Sequence, residues 1–327
     1  MLTLRFDFRL APSSPATMGD LYAASLDMVR WGESVGAMNA LFSQHHASPD
    51  GYLPSPMLMA SAAAANSRSL PITVGALLLL MYDPVKLAED IAVLDHLSEG
   101  RVNYIIGLGY RDEEYAMFGV DPSTRGKQME EYIDVLKRAL SGERFQWRGR
   151  TVQVTPSPRT PDGAMLGYGG GTVAAARRAA RHGMLFMPQS ANPALTAAYD
   201  EEAIKCGHRP GNYMVIPEGF PTSLFVAQDL DLAWEQLGPY MLHDAKMYGE
   251  WLGAGKSDTS TFSAALTVEQ LRAENGAYRI VTPEQAVSLI EQFGFLGLQP
   301  LCGGIPPDLA WQSLKLIETE VLPVVAR

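Results

Sequence analysis

The feature that most constrains this chain is its repetition: about eight short apolar runs suited to strands alternate with helical patterns over most of the sequence. Such alternation builds parallel strands joined by helical crossovers, because each return connection must carry the chain back across the sheet. The strands are expected at Leu2 to Phe8, Asn39 to Ser43, Ile72 to Leu80, Val102 to Gly107, Met165 to Tyr168, Met184 to Met187, Thr222 to Ala227 and Leu296 to Leu301. Helices are expected at Met18 to Gly36, Pro56 to Ser67, Pro84 to Leu97, Arg125 to Leu140, Thr172 to Arg181, Pro193 to Cys206, from Asp229 to Leu252, Pro283 to Phe293 and Asp308 to Val321. Pro84 suits a first helical turn, where its missing N–H costs nothing, and Gly36 suits a helix stop.

Two insertions interrupt the pattern. Near 143–158, Phe145, Trp147, Val152 and Val154 flank Arg148-Gly149-Arg150 as in a hairpin. Near 253–280, the Ser/Thr/Gly-rich run Gly253 to Ser263 reads as a mobile lid. Eight βα units then give an α/β fold, a (β/α)8 TIM barrel with insertions forming one domain over residues 1–327. The rival is a doubly wound open sheet, but Gly107-Leu108-Gly109 lacks the third glycine of a dinucleotide fingerprint. The polar and Gly-rich segments follow several different strands, and a barrel gathers all of them on one face.

Composition narrows the partners. With 47% hydrophobic residues the chain has ample material for a core, which excludes a disordered class. A formal charge of −10 and the lack of any long basic run argue against nucleic acid or an anionic membrane surface. The most apolar stretch, Ile72 to Tyr82, falls well short of the roughly 20 residues that span a bilayer. Met1 to Arg9 alternates charged and apolar residues and reads as a first strand, not a signal peptide. Cys206 and Cys302 stand apart from each other and from any Cys/His cluster, so no structural zinc or disulfide framework is expected, and a reducing cytoplasm fits best.

Three segments could carry chemistry. Gln44-His45-His46 follows the second strand, and imidazole titrates near neutrality, so His45 can act as acid or base; the alternative is loop packing. Tyr168-Gly169-Gly170-Gly171-Thr172 opens a helix whose amides and dipole could hold a phosphate, with Arg177 and Arg178 adding charge; the alternative is a plain connection. Gly107 and Gly109 could keep a floor flat beneath a planar ring. Tyr240, His243, Met247 and Trp251 share one helical face, which is either core or pocket. No GxSxG elbow or metal-ligand spacing supports hydrolysis or a metal centre.

The ordered set Leu87-Ala88-Glu89-Asp90, Leu94-Asp95, Leu97-Ser98, Gly100-Arg101, Gly107, Gly109-Tyr110-Arg111, Glu114-Tyr115 and Phe118-Gly119-Val120-Asp121 resembles the bacterial luciferase-like monooxygenases. Gln44-His45-His46, the Gly169-Gly170-Gly171 run and Glu320-Val321-Leu322-Pro323 extend the resemblance along the chain. The resemblance implies a barrel that binds reduced FMN, or in many relatives a reduced 5-deazaflavin coenzyme, at the carboxyl ends of its strands. It implies an oxidoreductase that takes reduced flavin from a separate flavin reductase and, with dioxygen, oxidises a small organic substrate. It further places His45 at the active site, Gly170, Gly171 and Thr172 in a phosphate site, and a non-prolyl cis peptide near Ala76, Leu77 and Leu78 under the flavin ring. A homodimer through the Ala-rich helix Met59 to Ala65 is implied as well. Two departures stand out: Gln44 replaces luciferase's glutamate, leaving His45 without a charged partner there, and Leu108 stands where luciferase has arginine.

Overall fold

The computed structural model describes residues 1–160, 164–252 and 259–325. In chain order the elements are β1 (Leu2–Phe6), α1 (Met18–Ser34), β2 (Asn39–Phe42), α2 (Pro56–Asn66), β3 (Ile72–Leu78), α3 (Pro84–Ser98), β4 (Val102–Gly107), α4 (Asp112–Phe118) and α5 (Arg125–Leu140). There follow β5 (Phe145–Trp147), β6 (Arg150–Val152), β7 (Leu166–Gly170), α6 (Val173–Arg181), β8 (Leu185–Pro188), α7 (Pro193–Lys205), β9 (Ser223–Val226) and α8 (Leu230–Leu252). The last are α9 (Val268–Glu274), β10 (Tyr278–Val281), α10 (Pro283–Phe293), β11 (Leu296–Leu298), α11 (Pro307–Leu316) and α12 (Leu322–Val325). This is the expected α/β architecture, a nine-stranded sheet with helices between successive strands. The hairpin expected inside the first insertion is β5–β6, paired antiparallel through Phe145 and Val152.

Local chemistry sets most boundaries. Asp83 accepts the Val85 and Lys86 amides ahead of Pro84 and so starts α3, and Thr17 and Asp20 cap each other's backbone at the start of α1. β1 ends two residues earlier than expected because Phe8 sits at φ 61°, outside any strand conformation. Residues 79–81 form a 3-10 turn instead of prolonging β3. β7 starts and ends later than expected, and runs into Gly169 and Gly170. Four short elements escape the sequence pattern: α4, α9, β10 and α12, with α9 and most of β10 inside the segment read as an insertion. Each has seven residues or fewer, too few to establish a period. Within the expected lid, residues 253–258 lie outside the described residues; beyond them Ser263 donates to Glu274 Oε2 at 2.6 Å.

The chain divides into two compact units. The first comprises Met1–Leu41, Ser48–Leu53 and Ile216–Arg327, and in it β10, β9, β11 and β1 lie side by side and parallel. Its interior is ionic. The fully buried Arg9 places Nη1 2.7 Å from Asp50 Oδ2 and Nε 2.9 Å from Asp244 Oδ1. Its guanidinium carbon lies 4.8, 4.6 and 4.1 Å from the ring centroids of Tyr52, Tyr248 and Trp251, a cage that suits a planar cation. Tyr278 donates to Asp244 Oδ2 at 2.7 Å, and His243 Nε2 lies 3.1 Å from Asp50 Oδ2. The face carrying His243 and Trp251 therefore belongs to this ionic interior. Burial, reinforced by the neighbouring Asp244 charge, pushes the Asp7 carboxyl above its ordinary range.

The second unit comprises Phe42–Ala47 and Pro54–Val215, with β3, β4, β7 and β8 side by side and parallel. Glu130 of α5 ties α6 to it, accepting Arg178 Nε at 3.0 Å and lying 2.5 Å from Arg181 Nη2 and 2.7 Å from His182 Nε2. Arg178 also donates to Tyr168 Oη and the Gly126 carbonyl, and Arg177 pairs with Glu201. Both arginines are thus engaged with helix-to-helix contacts, which corrects the expectation that they add charge to a phosphate site.

Burial would raise the Glu130 carboxyl, but the His182 and Arg181 hydrogen bonds and the Arg178 charge outweigh it and hold the group at about 2. A folded-state value below the ordinary 4.5 adds stability that is complete above that value and is lost as pH falls towards 2. Glu130→Gln is therefore expected to melt below the wild type at pH 6 and to close that gap only as pH falls through about 2; a gap independent of pH would refute the linkage.

Candidate active site

The carboxyl ends of β3, β4, β7 and β8 form one row through the pairings Leu78–Gly107, Gly107–Gly169 and Gly169–Met187. Four of the residues expected to bind a cofactor, Ala76, Leu77, Leu78 and Gly107, meet at the β3–β4 end of that row. The Gly75–Ala76 peptide is cis, one bond ahead of the stretch Ala76 to Leu78, and the pairing with β4 shifts register between Gly75 and Leu77. A Cβ on Gly107 would lie 2.7 Å from the Ala76 Cβ, so only glycine fits beneath that turn of β3.

At the other end of the row Gly169 and Gly170 are strand residues, not turn residues, paired with Met187 and Pro188. A Cβ on Gly170 would meet the Ala175 Cβ at 2.6 Å, so this glycine is required by the close approach of β7 to the start of α6. Among the four glycines Gly107, Gly109, Gly169 and Gly170, only Gly109 has a positive φ, at 84°. Gly171 leads into Thr172, whose Oγ1 accepts the Ala175 amide at 3.1 Å and caps α6. The Thr172 side chain thus caps its helix, and it is the backbone amides of that first turn that face outward.

His45 emerges from the end of β2 into the same unit and is 7% exposed. Its Nδ1 lies 2.7 Å from Glu114 Oε1, and its Nε2 lies 3.3 Å from the Tyr110 hydroxyl. Glu114, fully buried on α4, also accepts the His46 amide at 2.8 Å and lies 3.5 Å from Arg111 Nη1. Burial alone would raise the Glu114 carboxyl, but the hydrogen bond and charge of His45, the His46 amide and Arg111 together hold it below its ordinary value. The carboxylate is therefore ionised at neutral pH and can only accept, which puts the Nδ1 proton on His45 and leaves Nε2 to face the phenol.

Gln44 has a different task from the one its neighbour suggests. Its Oε1 accepts the Leu78 amide at 3.0 Å, which fixes the orientation of the side-chain amide and makes its Nε2 donate to His46 Nε2 at 2.6 Å. That bond needs a neutral imidazole, and burial indeed lowers the His46 pKa. Gln44 thus ties the His45–His46 loop to the end of β3, and His46 stacks edge-on to Phe118 with ring centroids 4.6 Å apart.

The charged partner that Gln44 could not supply comes from Glu114. Position 44 itself supplies none, as expected, and the carboxylate reaches His45 from α4 instead. Glu114 and Tyr110 stand out in the sequence only as part of the family-like run; the signal that could have found them is that both follow closely on Gly107-Leu108-Gly109 at the end of a strand.

A family model described as luciferase-like monooxygenase matches residues 4–296. Limonene 1,2-monooxygenase of Rhodococcus erythropolis is 30% identical over 118 residues, which are 36% of this chain and 30% of the relative. The matches span only 30% to 41% of the lengths of three curated relatives. Among solved structures, the oxygenating constituent of 3,6-diketocamphane monooxygenase from Pseudomonas putida, in complex with FMN, superposes with a TM-score of 0.71. It is 18% identical, with 99% of this chain and 98% of that chain covered. An F420-dependent secondary alcohol dehydrogenase gives a TM-score of 0.65 at 15% identity, with 94% and 97% covered. These likenesses show the luciferase-like α/β barrel fold that the sequence predicts.

Proposed function

Because this chain belongs to the luciferase-like monooxygenase family, we propose that it is an oxidoreductase that uses reduced FMN and dioxygen to oxidise a small, largely apolar organic substrate. The observation that carries the reading is the His45–Glu114 pair at the carboxyl end of β2, in one compact unit with the glycine-lined strand ends.

The residues present fit a flavin. Leu78, Gly107 and Gly169 stand in one row at the strand ends, and the two glycines put no side chain above it, which suits a flat ring. The amides that open α6 after Gly171 and Thr172 suit a phosphate through the positive end of the helix dipole. When bound, reduced flavin supplies the electrons and the reaction with oxygen. Glu114 fixes the His45 tautomer and favours its protonated form, so that His45 can hold and return a proton. The flavin itself would arrive from a separate reductase.

Leu108, where luciferase has an arginine, weakens the carry-over of luciferase's phosphate geometry and leaves room for a second reading, in which a reduced 5-deazaflavin coenzyme of the F420 type transfers hydride without oxygen. The likeness to an F420-dependent dehydrogenase points the same way. Anaerobic titration with each reduced coenzyme, followed by fluorescence, decides. Tight binding of reduced FMN and substrate-dependent oxygen uptake uphold the first reading. Preference for the deazaflavin with no oxygen uptake upholds the second, and binding without turnover of any substrate leaves a non-catalytic flavin binder.

The partner in this reading is a second copy of the chain. α2 exposes Leu58 and Ala65 and half-exposes Ala62, and α3 exposes Val93 and Leu97, so the small side chains at 62 and 65 allow another helix close approach. Sedimentation is expected to give a dimer that Leu58→Glu with Val93→Glu dissociates; a wild-type monomer would refute it.

A further inference from the structure

The Tyr110 hydroxyl lies 3.3 Å from His45 Nε2, and the two rings meet edge to face with centroids 5.3 Å apart. Gly109, at φ 84°, turns the chain between the β4 end and Tyr110. The direction of this bond follows from the other end of the imidazole. Ionised Glu114 holds the proton on Nδ1, so neutral His45 presents a lone pair at Nε2 and the phenol must donate to it. Protonated His45 reverses the bond: Nε2–H donates, and the Tyr110 O–H is released to donate elsewhere.

We propose that Tyr110 is the group through which His45 exchanges its proton with the bound reactants, its hydroxyl reversing from donor to acceptor toward His45 as His45 gains a proton. This rests on the flavin-dependent reading above. In the delivering direction, the phenol O–H bond breaks as its proton passes to the reactant. The His45 Nε2 proton then moves to the phenol oxygen, leaving neutral tyrosine and neutral histidine. The reverse sequence takes a proton away, and no charge remains on the phenol in either direction. The phenol is also what gives a 7% exposed imidazole a path to a ligand.

The test uses Tyr110→Phe, which keeps the ring and removes only the oxygen. In the flavin-free protein labelled with 15N-histidine, and with the His45 signals assigned by their loss in His45→Gln, the wild type is expected to show an Nδ1-protonated ring with Nε2 hydrogen-bonded. Tyr110→Phe should keep the tautomer and lose the Nε2 hydrogen-bond shift; an unchanged Nε2 signal would overturn the proposal. In turnover, Tyr110→Phe is expected to lower kcat by about 10- to 100-fold with the Kd for reduced flavin unchanged, at most the lower end of the roughly 10²–10⁴-fold contributed by a general acid–base group, because His45 itself remains. Wild-type kcat in this variant would also overturn it. Failure of the wild type to bind either reduced coenzyme would sink the flavin reading by itself, while the nitrogen signals would still decide whether Tyr110 governs His45.

Discussion

Replacing His45 with Ala is expected to lower substrate-dependent turnover by about 10²–10⁴-fold, the span of general acid–base catalysis, while reduced-flavin affinity changes little. The cofactor contacts proposed above lie on strand ends and on backbone amides, so removing the imidazole leaves them standing. Glu114→Gln is expected to lower turnover in the same direction, because an amide can accept from Nδ1 but no longer favours the charged imidazole. Since the Glu114 carboxyl is held below its ordinary value, it is ionised across the neutral range, and its contribution to stability is lost only as pH falls below the ordinary carboxylate range. Steady-state rates and flavin titrations on the two variants check this, and wild-type turnover in His45→Ala would remove the residue from the chemistry.

The largest effect on stability is expected from Arg9→Met. Methionine fills much of the aromatic cage but leaves Asp50 and Asp244, both almost wholly buried, without their cation. Breaking a buried pair from one side costs about 3–5 kcal/mol, far more than an exposed pair, because the remaining charge stays out of water. Urea unfolding should show the midpoint falling accordingly, with Arg9→Lys intermediate because ammonium keeps the charge and loses the flat stacking surface. Adding Asp244→Asn to Arg9→Met should return part of the loss. A midpoint close to the wild type in Arg9→Met would mean that the ion pairs do not hold this interior together.

Much of the fold could be read directly from the chain. α5 and α10 lie at the positions their periodicity gives, Arg125–Leu140 and Pro283–Phe293, since each has a long apolar stripe, and α10 also has a capping threonine. The elements that could not be read are short. β10 has four residues including Arg279, and α4 has seven with three acids in its first turn, so neither offers enough residues for a period to stand out. The glycines of β7 were legible as important but for a different reason from the one the sequence suggests: close approach to Ala175 and Ile105, not a reversed backbone.

What the sequence by itself determined is the alternation of strands and helices, the family, and the placing of His45 and the glycines at strand ends, because these depend on local periodicity and on residues near one another in the chain. What only the tertiary structure decided is the pairing of charges. His45 meets a carboxylate 69 residues away and Asp50 meets His243 at a separation of 193, and nothing in local patterning specifies which buried charge will find which. Those partners follow from the pressure on every buried charge to be met by another, a condition satisfied only once the strands have brought distant residues together.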